Sequence, residues 1–395
     1  MTKFPKKLLL VQTDSLEGVI KNWEMRKDEE DWLGLGSVTV KSIGMVGLKA
    51  IRGRCPDNVI LADLKSMDTG FLEVEVAALA GADVITVSGL ADDSTIIGAV
   101  EAARKYDVKI MADLVNAGLD RAKTLEKNGV HYMLCKPEQV KELKGLNIPI
   151  ASYNDDAQIR IEEIPSRIPS KQGKKKRLEF GNPILQVALD LTELKDALRI
   201  AEQSNMGGVD WLEVGTPLIK CEGAKAVREL RKKFPGKILV ADLKTLANSA
   251  EEVAIAALAG ADIVGISGSS DDLEIAKAVE QAKKMGVHIM ADLIAISNPV
   301  SRAAELERLG ADILEFHISI DKQLSKEYAG YPFPLVEEVC DSVQIPVAVA
   351  GGMRAKTAPL AVKSGAKIVV VGGGITHVAD PKAATENIKQ AMKTY

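Results

Sequence analysis

Aromatic residues make up only 4% of this 395-residue chain, and histidine and cysteine occur four times each. The cysteines, Cys55, Cys135, Cys221 and Cys340, are scattered without a C-x-x-C pair or histidines at ligand spacing, which excludes a cysteine zinc site and fits a reducing, cytoplasmic compartment. No charge of one sign dominates: the formal net charge is -4, so nothing points to a nucleic-acid partner. Long hydrophobic runs are missing as well. The apolar stretch in MTKFPKKLLLVQTDS is too short for a signal peptide or membrane span and is expected to be a first β-strand.

What the chain does have is an internal repeat. LADLKSMD at 61 to 68 returns as VADLKTLA at 240 to 247, and about half of the next fifty residues agree without a gap. Asp63 and Lys65 thus match Asp242 and Lys244, whereas Asp68 matches Ala247.

The second copy alternates β-branched runs (ILQVALD, WLEVG, ILVADLK, ADIVGISG, VHIMADLI, ADILEFH, IPVAVAGG, AKIVVVGGG) with amphipathic segments such as LKDALRIAEQ. Eight such units in about 210 residues predict a closed (β/α)8 barrel, with a doubly wound open sheet as the rival. The first copy keeps this order as far as IPIASYN and then loses it, so the expected architecture is α/β, two (β/α)8 TIM-type barrels in tandem with the N-terminal one degenerate or incomplete. The expected boundaries are 1–155, a basic linker at 156–182 and a complete barrel at 183–395. The run GKKKR at 173 to 177 reads as solvated linker rather than a nucleic-acid patch.

Active sites of such barrels lie at the C-terminal strand ends. The polar residues ending the apolar runs are Asp190, Glu213, Asp242, Lys244, Asp292 and His317. A period of two puts Asp242 and Lys244 on one strand face, and carboxylates with a lysine in one pocket make a hard-oxygen site suited to Mg2+. Asp292 is open between this site and an N-cap. His317, at a strand end, is a candidate acid/base, while His131, His288 and His377 are read as structural. Glycine runs at 350 to 352 and 372 to 374 end strands seven and eight, where bare backbone N–H groups can approach a phosphate.

In order, ADLKT, ISGSSDD, DLIAISNPVSRAAELERLGAD, HISIDKQ, VAVAGG and VVVGGGITHVADP resemble the 3-hexulose-6-phosphate synthases of the orotidine 5'-monophosphate decarboxylase superfamily. The resemblance covers residues 183 to about 393 and, more weakly, 7 to about 150. The sister 3-keto-L-gulonate 6-phosphate decarboxylases typically carry an Arg after the strand-six His, which HISID lacks.

The resemblance implies a reversible, Mg2+-dependent aldol condensation of D-ribulose 5-phosphate with formaldehyde. Glu213 and Asp242 would hold Mg2+, Lys244 would stabilise the enediolate, and His317 would act as acid/base near C1. Asp190 would contact a substrate hydroxyl, and Gly351, Gly352, Gly372, Gly373 and Gly374 would hold the phosphate.

In the superfamily the last Asp of D-x-K-x-x-D crosses a dimer interface. Here that Asp is Ala247 in the second copy and Asp68 in the first, while the first has Gly34 for Glu213 and Lys136 for His317. The expectation is a fused pseudo-dimer, or a homodimer, in which Asp68 completes the second copy's site. A 27-residue linker can extend about 90 Å, enough for docking within one chain. The alternatives are a decarboxylase of the sister type and a catalytically inactive sugar-phosphate-binding protein.

Overall fold

The computed structural model describes residues 7–143, 145–153, 159–163, 174–326 and 328–393. The chain divides into two compact units, Met1–Ile168 and Pro169–Tyr395.

The first unit holds β1 (Leu8–Gln12), β2 (Trp32–Leu35), β3 (Val59–Ser66), β4 (Val84–Ser88), β5 (Lys109–Asp113), β6 (Tyr132–Cys135), β7 (Ile150–Ser152) and β8 (Ile159–Glu163). All pair in parallel in the order β7-β6-β5-β4-β3-β2-β1-β8. Strand β8 closes onto β1, but β7 and β8 do not pair, so the sheet stays open at its last step. Its interior is apolar: Leu8, Leu10, Trp32, Leu61, Met111, Tyr132 and Leu134 are packed together, with Tyr153 against them.

The second unit holds β9 (Ile184–Leu189), β10 (Trp211–Val214), β11 (Ile238–Thr245), β12 (Ile263–Ser267), β13 (His288–Asp292), β14 (Ile313–His317), β15 (Val347–Ala350) and β16 (Ile368–Val371). They form a closed parallel barrel, β9 joining both β10 and β16. The barrel core of Ile184, Trp211, Val240, Ile263, Met290, Ile313 and Ile368 follows from near-continuous apolar strands with helices between them. That layering leaves the strand ends as the place for polar groups.

The segment expected as a linker is partly structured, a correction to its boundaries, while Lys174, Lys176 and Arg177 of its basic run are exposed. Residues 159–163 belong to the first unit as β8. Lys175 donates to both Asp312 oxygens at 2.7 and 2.8 Å, and Lys176 lies 3.7 Å from Asp262. Leu178 and Phe180 pack on the barrel core, the Phe180 ring 6.0 Å from that of Trp211. The physical reason is that carboxylates just ahead of β12 and β14 attract the lysines, while the two apolar residues cover the N-terminal end of the barrel. Residues 156–158 and 164–173 lie outside the described residues. Among the described residues no helix is long and apolar enough to cross a membrane.

Candidate active site

Strand β11 does not run as a regular ladder. Its register on β12 slips between Asp242 and Thr245, and Lys244 adopts a left-handed backbone at φ 43°. Such a conformation is costly for a residue with a Cβ and is found where surrounding structure enforces it. Asp242 and Lys244 therefore converge through a bulge rather than through the simple alternation expected of the strand.

Lys244 is the hub. Its ammonium donates to Asp292 Oδ2 at 2.7 Å, lies 3.0 Å from Asp242 Oδ2 and 3.4 Å from His317 Nδ1. Burial alone would lower the lysine pKa, but Asp242 and then Asp292 reverse this and hold it well above its ordinary value. Burial would likewise raise Asp292, yet Lys244 and His317 keep its carboxyl below the usual range. Asp292 is thus no N-cap: the following helix, Pro299–Leu309, is capped by Asn298. Its other oxygen accepts the Ile294 N–H at 2.8 Å, which fixes the carboxylate.

His317 Nδ1 is 3.0 Å from Asp292 Oδ2. Of the two neighbours of Nδ1, the nearer carboxylate only accepts and the Lys244 ammonium at 3.4 Å only donates; the closer carboxylate assigns the hydrogen to Nδ1, which leaves Nε2 as the basic nitrogen. This pairing is the orientation an acid/base histidine needs.

Glu213 and Asp190 complete an acidic floor. The Gln186 amide donates to Glu213 Oε2 at 2.6 Å, and Thr216 donates to Asp242 Oδ2 at 2.8 Å. Burial, followed by the Asp242 and Asp190 charges, pushes Glu213 well above the usual carboxylate range, and burial with Asp242 raises Asp190. Glu213 and Asp242 offer carboxylate oxygens, the donor type that Mg2+ takes.

The glycines meet at the same end of the barrel. Gly351 and Gly352 have φ of 93° and 68°, and a Cβ on Gly351 would fall 2.3 Å from the Ile318 carbonyl oxygen. A Cβ on Gly374 would meet Met353 O at 2.7 Å, and one on Gly372 would come 3.1 Å from Asp190 Oδ2. The two runs therefore adjoin each other and Asp190. Gly373 opens the short helix Gly373–Thr376.

Sequence reasoning missed Gln186, Thr216 and Glu315. Glu315 stands in the middle of β14, 4% exposed, where burial, Asp292 and Glu213 push its carboxyl well above the usual range. The one available signal was a charged residue inside the apolar run ILEFH. His131 accepts the Ile110 N–H at 3.1 Å, and His288 lies 3.2 Å from Asp312.

The first unit repeats the hub with a different cap. Lys65, at φ 46°, donates to Asp113, lies 3.5 Å from Asp63 and bonds the Tyr153 hydroxyl at 2.8 Å. Tyr153 in turn donates to Asp113 at 2.8 Å. Asp68 lies beyond β3, where its carboxylate accepts the Thr69 N–H at 2.6 Å.

Residues 17–135 and 183–388 match the orotidine 5'-phosphate decarboxylase / HUMPS family. This chain belongs to that family. Within it, the 3-hexulose-6-phosphate synthase of Mycobacterium gastri is 38% identical over 208 residues, 53% of this chain and 99% of that protein. The Bacillus subtilis synthase is 34% identical over 208 residues, 53% and 98% of the two chains. A crystal structure of 3-hexulose-6-phosphate synthase matches at TM-score 0.51 and 38% identity, covering 53% of this chain and 99% of its own. The 3-keto-L-gulonate 6-phosphate decarboxylase (KGPDC) of Streptococcus mutans in complex with D-R5P also matches, at TM-score 0.51 and 27% identity, over 54% and 98%. About half of this family member therefore accounts for nearly the whole of each relative. It is an enzyme of the synthase type, an aldehyde-lyase.

Proposed function

We propose that the chain condenses D-ribulose 5-phosphate with formaldehyde, reversibly, to 3-hexulose 6-phosphate, using the strand ends of the second unit. The observation that carries this reading is the Lys244 ammonium held at 2.7 and 3.0 Å from Asp292 and Asp242, with His317 on the same Asp292 oxygen. A fixed cation beside an oriented base suits a reaction in which a C1 proton leaves and negative charge builds on adjacent oxygens.

In this reading Gly351, Gly352, Gly372, Gly373 and Gly374 present backbone N–H groups to the phosphate, and Asp190 accepts from a substrate hydroxyl. His317 Nε2 takes the C1 proton, and the Asp292 carboxylate stabilises the imidazolium formed. Lys244 faces the enediolate oxygens, and its charge persists because the carboxylates of Asp242 and Asp292 beside it hold its pKa well above the ordinary value. The enediolate carbon then attacks formaldehyde, and the imidazolium returns a proton to the product oxygen. Mg2+, held by Glu213 and Asp242, would supply Lewis-acid stabilisation of the same oxygens. Asp68 of the first unit supplies the carboxylate that Ala247 lacks, so the two halves act as a pseudo-dimer in one chain or between two.

Decarboxylation of a 3-keto sugar-acid phosphate would pass through a similar enediolate, but Ile318 follows His317 where the decarboxylases typically have Arg. Incubating the purified chain with ribulose 5-phosphate, formaldehyde and Mg2+ and identifying the product tests the proposal. Hexulose phosphate formation abolished by EDTA is expected; its absence alongside decarboxylation of the keto acid would replace this reading with the other.

A further inference from the structure

Strands β13 and β14 carry a second donor set that the condensation does not use in full. Asp292 pairs in register with Glu315, and His317 lies two residues further along β14, hence on the same face as Glu315. One ligand atom from each of Asp292, Glu315 and His317 falls within 4.8 Å of the others. Glu315 is 4% exposed, and its carboxyl makes no hydrogen bond to any described residue. A buried carboxyl in that condition is costly as an anion unless a proton or a cation neutralises it, and a dication is one physical way to do so.

We infer that Asp292, Glu315 and His317 form a site for a borderline divalent cation such as Zn2+, distinct from the Glu213 and Asp242 pair, and that filling it switches the enzyme off. The two sites sort ions by donor type. An all-oxygen pair suits Mg2+, whereas one imidazole with two carboxylates suits Zn2+, Co2+ or Mn2+. Donors around a four-coordinate ion with bonds of about 2.0–2.2 Å stand about 3.3 Å apart, so small side-chain rotations close the triangle. Three protein ligands leave a position open toward the barrel mouth.

Inhibition follows from what the ion displaces. Asp292 Oδ2 is already shared by the Lys244 ammonium and His317. A dication on that carboxylate pushes the ammonium away and takes up the imidazole that serves as base. The first unit provides an internal control: Asp113 pairs in register with Leu134, and Lys136 stands two residues on, so the same strands there cannot bind an ion.

The inference needs the proposed activity only for its inhibitory consequence, so it is tested in two arms on the full chain in saturating Mg2+. In the binding arm, Co2+ should give a visible d–d spectrum at one equivalent, displaced by Zn2+. Glu315→Gln should weaken that binding at least about tenfold. In the kinetic arm, Zn2+ should inhibit with the same midpoint as it displaces Co2+, and Glu315→Gln should raise that midpoint equally. A Co2+ spectrum unchanged by Glu315→Gln, or a midpoint that rises in proportion to Mg2+, overturns the inference. Should Glu315→Gln fail to fold, His317→Asn replaces it in the binding arm: loss of the spectrum supports the site and its retention overturns it. A Glu315-dependent spectrum without condensation activity upholds the site and removes the proposed function instead.

Discussion

Lys65 and Lys244 occupy equivalent places in their units. Each follows an aspartate by two residues, each has a left-handed backbone, and each ammonium is held by the aspartate that ends the fifth strand, Asp113 or Asp292. The difference lies in what else approaches. At Lys65 the remaining position is filled by the Tyr153 phenol, which also bonds Asp113, and the ring lies 5.4 Å from the ammonium. At Lys244 an imidazole stands instead, and the residue matching Tyr153 is Ala350. The lining differs in the same sense: Leu8, Gly34 and Leu134 in the first unit match Gln186, Glu213 and Glu315 in the second. The bulged lysine is therefore scaffold common to both, whereas buried carboxyls that burial makes costly persist only where chemistry can use them.

The largest contrast comes from removing each lysine charge. Lys244→Met should lower kcat/KM by at least about a thousandfold, since a charge acting on developing negative charge is lost. Lys65→Met should leave turnover within about twofold while lowering unfolding free energy by about 3 kcal/mol, the result of breaking a buried ion pair. Steady-state kinetics and denaturant titration on both variants check this, and a reversed pattern would break the comparison.

Exchanging the caps is next. Ala350→Tyr should fill the second site as Tyr153 fills the first and lower turnover about a hundredfold, with circular dichroism confirming the fold. Tyr153→Ala should confer no activity on the first unit, because Glu213 and His317 have no counterparts there.

A third test uses pH. The Glu315 carboxyl is raised in the fold, so between the unfolded value near about 4.3 and the folded one the native state holds the extra proton, and stability falls as pH rises through that window. Asp190 and Glu213 contribute with the same sign. Glu315→Leu, which installs the first unit's residue, should flatten part of that slope and stabilise the chain at neutral pH by about 1–3 kcal/mol. Unfolding free energy measured from pH 4 to 8 without divalent cations reads this; an unchanged slope contradicts it. Asp292 works oppositely: its stabilisation is present above the unfolded value and is lost only as acid titrates its depressed folded value.

The smallest effect is expected from Tyr153→Phe. It removes hydrogen bonds of 2.8 Å to Lys65 and Asp113, and should cost about 1–2 kcal/mol with turnover unchanged.

Much of this was legible in the sequence. Eight β-branched runs with amphipathic segments between them specify the second unit's closed barrel, and the strand-end residues Asp242, Lys244, Asp292 and His317 do meet. The Asp242 and Lys244 convergence was anticipated for the wrong local reason, because alternation along a strand says nothing of a bulge that depends on packing against β12. Asp292 could not be separated from an N-cap, since that depends on where the next helix begins. Glu315 and Gln186 were hidden inside strands, where a charged or amide residue is read as noise in an apolar run. The ion pairs of the basic segment were hidden because its partners, Asp262 and Asp312, are far away in sequence. The proposal that the halves share a site through Asp68 rests on one sequence difference, Asp68 against Ala247.

Asp68→Ala in the full chain, set beside Asp63→Ala and with folding followed separately, tests that sharing most directly. The account predicts that Asp68→Ala stays folded yet loses at least about a hundredfold in kcat/KM, and that mixing it with Lys244→Ala chains restores activity only if Asp68 acts between chains. Turnover unchanged by Asp68→Ala would contradict it.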